Sequence, residues 1–209
     1  MKEGIQKFGD ILAKIISVVF HPLLIPLYGM LIIFSAPTLF GFLLPKVKTI
    51  LIFIVLINNV LVPLSLMPYF RLRNIITSWT VINRSERTIP LFSTTFFYLI
   101  TVYLVVRYHI PFFIKSFLIA ASALSLFISL INLRMKISIH AAGIGALTAL
   151  IVILSLQMHT PLTLMLIGTV MSSGLVLSSR LWLNSHNPRE VWFGYLLGIL
   201  VPAVILSVF

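Results

Sequence analysis

Charged and titratable side chains concentrate in residues 180–190, directly before a hydrophobic segment. Arg180, His186, Arg189 and Glu190 all lie within these eleven positions. Asp, Glu, Lys and Arg together make up only 9% of the 209 residues, against about 25% in an average soluble domain. Because a charged side chain is costly to remove from water, such a cluster in an apolar chain indicates a functional site.

Several arginines with few acids predict an anion-binding site, because guanidinium groups match phosphate oxygens with paired hydrogen bonds. Arg180 is one candidate, and Arg84 and Arg87 are two more, three residues apart and on one face if that stretch is helical. A metal-dependent phosphatase needs several oxygen ligands. Apart from Glu3 and Asp10 near the N-terminus, Glu86 and Glu190 are the only acids in the chain. We therefore expect chemistry that uses no metal and no other cofactor.

Two histidines, His140 and His186, could carry out phosphoryl transfer. A neutral imidazole can attack phosphorus and form a covalent phosphohistidine, while a second histidine protonates the leaving oxygen. The attacking ring needs its other nitrogen held by an acceptor, and Glu190 lies four residues after His186, one helical turn away. Glu190 also fits a capped helix start behind Asn187 and Pro188, and the two interpretations are compatible.

The elements that must position these residues are transmembrane helices. Apolar residues make up 60% of the chain, and about 20 apolar residues cross a bilayer as a helix. The sequence predicts an all-α integral membrane protein, one domain over residues 1–209, formed by six to seven spans. The first span contains "HPLLIP" (21–26), so we expect it to be kinked or to lie partly in the interface. The spans are predicted at 14–35, 46–68, 89–107, 112–133, 138–157, 161–182 and 190–209.

The candidate residues fall in or next to three loops, 69–88, 134–138 and 184–190. These loops share one membrane face with the N-terminus if every segment crosses once. Eleven of the 15 Lys and Arg residues lie on that face, which by the positive-inside rule predicts that it is cytoplasmic. The net charge of +11 therefore indicates contact with anionic lipid headgroups and not with nucleic acid. Gly194 and Gly198 predict close helix packing.

The spacing of these residues resembles the signature motifs of the type 2 phosphatidic acid phosphatase (PAP2) superfamily. Ser179-Arg180, His186 and Glu190 follow its third motif, SR-x5-H-x3-D, with glutamate in place of aspartate. Residues 137–140, "ISIH", align with the second motif, PSGH, and keep its serine and histidine. "NRSERTIP" (83–90) aligns with the first motif, K-x6-RP, with Arg87 as its arginine, Thr80 at the lysine position and Pro90 two positions late. The resemblance covers residues 70–205.

The resemblance implies a PAP2-like helical core and a membrane phosphatase that acts on a lipid phosphate or lipid diphosphate. It implies that His186 is the nucleophile, Glu190 its orienting acid and His140 the general acid. The phosphate would be held by Arg87, Arg180 and Ser138, with Arg84 or Lys136 substituting for the missing lysine.

Two alternative functions remain open on the same residues. One is a catalytically impaired lipid-phosphate binding or transport protein, which the altered first two motifs favour and the third motif opposes. The other is a phosphotransferase that passes the phosphoryl group or headgroup to an alcohol. The lipid and the oligomeric state are left open. A bacterial inner membrane is compatible with the compact size, and the sequence assigns no role to His21, His109 or His159.

Overall fold

The computed structural model describes residues 2–79, 81 and 83–208, and all regular secondary structure in these ranges is helical. Seven helical segments there are long and apolar enough to cross a membrane, as predicted, and the protein is an integral membrane protein. A π-helical segment, Leu56–Leu61, joins the two halves of the second span. The α-helices are α1 Lys2–Val19, α2 Ile25–Ser35, α3 Pro45–Val55, α4 Val62–Leu72, α5 Arg84–Val106, α6 Phe112–Asn132, α7 Ile139–Gln157, α8 Thr163–Trp182 and α9 Pro188–Val208.

The first span is broken at the predicted place. Helix α1 ends at Val19, and a single 3-10 turn, Pro22–Leu24, separates it from α2. Pro22 has no backbone N–H and cannot continue the hydrogen-bond ladder of α1. Pro26 lies in the first turn of α2, where a missing N–H costs nothing. The two prolines therefore separate two helices, and His21 lies at the junction.

Helix α1 packs against the C-terminal end of α8 along a stripe of small residues. Ala13 and Ser17 are buried, and a Cβ atom on Gly9 would collide with the Trp182 ring. The indole Nε1 of Trp182 also donates to Asp10 Oδ1 at 3.0 Å. This contact brings the end of α1 to the part of α8 that carries Arg180.

Helix α7 lies at the centre of the bundle, and α9 packs directly on its backbone. A Cβ atom on Gly194 would lie 2.6 Å from the Ser138 carbonyl oxygen, and one on Gly145 would lie 2.5 Å from the Tyr195 carbonyl oxygen. A Cβ atom on Gly198 would overlap the Ala142 carbonyl group. The prediction of close packing at Gly194 and Gly198 is therefore confirmed. The contact keeps the start of α9 fixed against the start of α7.

Helices α5 and α6 are joined by hydroxyl groups in the apolar interior. Thr95 Oγ1 lies 2.8 Å from Ser125 Oγ and 2.9 Å from Ser129 Oγ. Nearer the loops, Asn132 Nδ2 donates to the Arg84 carbonyl oxygen at 3.2 Å. Because polar groups in hydrocarbon need partners, such contacts hold neighbouring helices together. They fix the first turn of α5, which carries Arg87, relative to α6.

Candidate functional site

The turn between α8 and α9 places His186. Asn184 adopts a left-handed φ of 49° just after the end of α8, a conformation that asparagine tolerates at helix ends. Three residues later, Asn187 Oδ1 accepts a hydrogen bond from the Glu190 backbone N–H at 2.9 Å. Pro188 is the first residue of α9, as the capped-start interpretation expects. His186 thus lies one helical turn before Glu190.

The His186 ring and the Glu190 carboxylate are in direct contact, with 2.6 Å between Nδ1 and Oε2. Because a carboxylate can only accept, Nδ1 carries the proton and donates it, and the neutral ring has its lone pair on Nε2. The second carboxylate oxygen, Oε1, accepts from Asn187 Nδ2 at 3.1 Å. Glu190 therefore takes part in the helix cap and holds the His186 ring at the same time.

His186 is buried among positive charges, with only 7% of its surface exposed. Burial lowers the pKa of His186 to about 3, and the charges of Arg87, Arg180 and Lys136 act in the same direction. Burial also lowers the pKa of Lys136, with Arg87 the next largest cause. The His186 imidazole is consequently neutral near pH 7, which is the form that can attack an electrophile through Nε2.

Arg87 reaches the site from the first turn of α5 and is 8% exposed. Its Nε donates to the Val81 carbonyl oxygen at 2.6 Å. Val81 itself has a φ of 40°, which is strained for a β-branched residue. The loop that carries it is held by Glu86, whose carboxylate accepts from the Thr77 backbone N–H at 2.7 Å. No described residue accepts a hydrogen bond from the two terminal amino groups of Arg87, so these groups are available to a ligand.

Arg180 and His140 meet at the same residue of α1. Arg180 Nη1 donates to Ser17 Oγ at 3.1 Å, and His140 Nε2 lies 3.1 Å from the Ser17 carbonyl oxygen. Since a carbonyl oxygen only accepts, Nε2 of His140 carries a proton, and Nδ1 is the nitrogen left for other partners. Arg180 Nε is buried and has no hydrogen-bond partner among the described residues. A buried donor of this kind is costly unless a ligand satisfies it.

A cavity of ≈ 230 Å³ joins these side chains. Arg87, His140, Arg180 and His186 lie along its wall, together with His21. The rest of the wall is mostly apolar and follows α5 down to Tyr98, with further side chains from α6 and α7. At 1.5 Å per residue, eleven residues of α5 correspond to about 16 Å. The cavity therefore joins a cationic end to an apolar end inside the bundle.

No family model, curated protein or solved structure matches this chain.

Three predicted phosphate ligands do not line this cavity. Ser138 is fully buried, and its Oγ accepts from the Ala141 backbone N–H at the start of α7. Lys136 Nζ donates to the Ser185 carbonyl oxygen at 2.7 Å, which ties two loops together. Arg84 is exposed at the beginning of α5. Thr80, at the lysine position of the first motif, lies outside the described residues, and Ile139 lines the cavity where the second motif has glycine.

The donor set of the cavity suits an anion. In the ranges that the structure describes, no group of three or more His, Asp and Glu side chains is arranged to hold a metal ion. Glu190 contacts His186 in the cavity wall, and both of its oxygens already accept hydrogen bonds. Arg87 and Arg180 instead offer N–H donors, which phosphate oxygens accept.

Two residues of the site were missed from the sequence, Ser17 and His21. Both lie at the broken end of the first span, where the sequence predicts the break but not what the broken end faces. Ser17 holds Arg180 and His140, and the His21 ring lies edge-on to the His140 ring, with 5.7 Å between centroids. The available signal was a histidine directly before proline inside an apolar span, where an unpaired polar side chain is costly.

Proposed function

We propose that this protein is a PAP2-like membrane phosphatase that hydrolyses a lipid phosphate or lipid diphosphate through a phosphohistidine intermediate. The observation that supports it most is the buried His186–Glu190 pair, with a contact of 2.6 Å, at the cationic end of a largely apolar cavity. The pair supplies a neutral imidazole with a defined tautomer, which a structural histidine in an apolar bundle does not need.

The reaction has two steps. His140 Nδ1 binds a proton together with the anionic substrate. His186 Nε2 attacks phosphorus, the N–P bond forms, the P–O bond to the leaving group breaks, and the leaving oxygen takes this proton from His140. Water then attacks the phosphohistidine, His140 takes back a proton from this water, and the N–P bond breaks to release phosphate. Since Nε2 of His140 is held by Ser17, the proton moves through Nδ1. Glu190 stabilises the positive charge that His186 develops.

Arg87 and Arg180 hold the non-bridging oxygens. Arg87 offers its terminal amino groups, and the buried Arg180 Nε is a donor that awaits an acceptor. Two fixed guanidinium groups neutralise the charge of the transferred phosphoryl group, which is the main requirement of phosphoryl transfer. Neither Ser138, the retained serine of the second motif, nor Thr80, at the lysine position of the first motif, is needed for this set of contacts.

The apolar part of the cavity supports the proposal of a lipid substrate. A phosphate bound at Arg87 leaves its organic substituent to extend along α5 towards Tyr98, between Leu91 and Phe117. Burying apolar surface there is worth about 25 cal/mol per Å². The tail thus stays at membrane depth while the headgroup reaches the arginines. We further propose that the protein acts in a bacterial inner membrane.

One observation favours a second candidate, a lipid-phosphate binder or transporter without turnover. Ser138, a phosphate ligand in the second motif, is used here to cap α7 and is fully buried. The same residues also permit transfer to an alcohol in place of water. Both alternatives keep the anion site. The binder transfers no phosphoryl group, and the transferase differs from the phosphatase only in what accepts it.

The test is phosphate release by the purified protein in detergent micelles from a panel of lipid monophosphates and diphosphates. We expect the wild type to hydrolyse at least one of them and the His186→Ala variant to hydrolyse none. His109→Ala is the matched control, because His109 is exposed in the turn between α5 and α6, away from the cavity. Binding of a lipid phosphate without release would favour the binder, and release only with an added alcohol would favour the transferase.

A further inference from the structure

We propose that His21 is a substrate-binding residue of this site, and that its Nε2–H donates a hydrogen bond to an oxygen of the anionic headgroup. The inference rests on the proposed function in taking the ligand to be a phosphate. His21 belongs to none of the three aligned motifs. It reaches the cavity from the N-terminal part of the chain, whereas the motifs lie in its middle and C-terminal parts.

The backbone next to His21 determines its tautomer. His21 is the N-cap residue of the 3-10 turn Pro22–Leu24, and its Nδ1 accepts from the Leu23 backbone N–H at 3.3 Å. An accepting nitrogen carries the lone pair, so the proton of the neutral ring lies on Nε2. Pro22 has no N–H of its own, which makes the Leu23 N–H the first donor of the turn. His21 is thus prepared as a hydrogen-bond donor and not as a base.

The position of the ring brings this donor to the site. His21 lines the same cavity as Arg87, Arg180 and His186. Its ring meets the His140 ring edge-on, at an interplanar angle of 83°. Nδ1 faces the backbone of its own turn, and no hydrogen-bond partner for Nε2 occurs within the described residues. An anion beside Arg180 supplies the missing acceptor.

The three histidines therefore differ in the nitrogen that each has available. His186 offers an Nε2 lone pair, because Glu190 holds its Nδ1. His140 offers Nδ1, because Ser17 holds its Nε2. His21 offers an Nε2–H, because Leu23 donates to its Nδ1. One ring suits attack, one suits proton transfer and one suits binding, and the third assignment is the new one.

Asparagine and glutamine separate binding from capping at this position. His21→Asn keeps an acceptor close to the position of Nδ1, and asparagine is a favoured N-cap residue, but it has no donor at the distance of Nε2. His21→Gln places an amide N–H near the position of Nε2 and is the poorer cap. A purely capping role predicts that Asn is the better substitute, and a binding role predicts that Gln is.

The experiment measures binding in the His186→Ala background, which keeps hydrolysis out of the readout. The probe is decyl phosphate in decyl maltoside micelles, so that the detergent matches the tail of the probe. Adding His21→Asn should raise the Kd at least about tenfold, equal to about 1.4 kcal/mol. Adding His21→Gln should raise it less, and adding His109→Asn should not change it. Thermal unfolding of each variant without decyl phosphate reports the capping effect separately.

The outcomes separate this inference from the proposed function. If the His186→Ala protein binds decyl phosphate and His21→Asn binds it equally well, His21 is only a cap and the inference is wrong. The same holds if Gln weakens binding more than Asn does. If the His186→Ala protein does not bind decyl phosphate at all, the phosphate site is wrong and the role of His21 is wrong with it.

Discussion

Replacing Glu190 with glutamine separates its role in the helix cap from its role on the His186 ring. Oε2 accepts from the His186 ring at 2.6 Å, and Oε1 accepts from Asn187 Nδ2 at 3.1 Å. Glutamine keeps one acceptor oxygen and turns the other into a donor, so one of these two hydrogen bonds must be lost. The backbone contact from Glu190 N to Asn187 Oδ1 does not involve the side chain, and the helix start stays capped. We expect the Glu190→Gln protein to fold, with a free energy of unfolding lower by about 1 kcal/mol.

The effect on turnover should be much larger, because it depends on charge. When His186 attacks phosphorus, its ring becomes positive while Nδ1 remains in contact with the Glu190 carboxylate. At an effective dielectric constant of about 20, two unit charges about 4 Å apart attract by roughly 4 kcal/mol. Loss of that attraction in the transition state corresponds to a decrease in kcat of about 10³-fold. A glutamine N–H facing Nδ1 would also shift the ring proton to Nε2 and remove the nucleophile.

The assay is phosphate release at saturating lipid phosphate, together with thermal unfolding in the same detergent. Asn187→Ala is the matched control, because it removes the cap and leaves the carboxylate on the His186 ring. This control should lose about 1 kcal/mol of stability and keep most of its activity. If Glu190→Gln retains more than a tenth of the wild-type kcat, the carboxylate serves only the cap and the reasoning is refuted.

Four further predictions concern the nucleophile, metal, pH and packing. His186→Ala should lose at least about 10³-fold in kcat, and a folded variant with a tenth of the wild-type rate would remove His186 from the role. Activity should survive EDTA, and loss restored by Mg²⁺ or Zn²⁺ would contradict the histidine mechanism. Because the folded-state pKa of His186 is about 3, below its ordinary 6.5, the unfolded state takes up its proton first as pH falls. The free energy of unfolding should therefore drop between pH 6.5 and pH 3 by more in the wild type than in His186→Gln, and equal slopes would argue against the lowered pKa. Gly198→Ala should destabilise the protein by about 1–3 kcal/mol, whereas Gly168→Ala, with nothing within 4 Å of the added Cβ, should not, and equal unfolding temperatures would contradict the close packing of α7 and α9.

The number of spans was predictable because hydropathy over about 20 residues is a strong signal. The helix boundaries were less predictable, and helix α5 illustrates the reason. Hydropathy placed its start at residue 89, but the helix begins at Arg84. Its first turn is polar and is held from outside by Asn132, which donates to the Arg84 carbonyl oxygen. A polar turn held by tertiary contacts has no hydropathy signature.

Part of the site was predictable for a similarly local reason. A four-residue spacing on a helix start brings two side chains together, and His186 and Glu190 are in contact as expected. Arg84 and Arg87 lie three residues apart in helix α5, the spacing that was expected to place them on one face, but Arg84 is exposed and Arg87 is buried. Arg87 is buried because its Nε donates to the Val81 carbonyl oxygen. The loop conformation that places this oxygen there cannot be predicted from the periodicity of the sequence. The burial of Ser138 likewise depends on the approach of α9.

The broken first span has a larger part in the site than its sequence indicates. Ser17 uses its carbonyl oxygen to hold His140 and its hydroxyl to hold Arg180, and these two residues come from different helices. A single residue of α1 therefore sets both the free nitrogen of one histidine and the direction of one guanidinium. The break after α1 leaves His21 at the wall of the same cavity. Ser17 before the break and His21 after it both contact His140, so the interrupted end of this span supplies polar groups to the site from both of its sides.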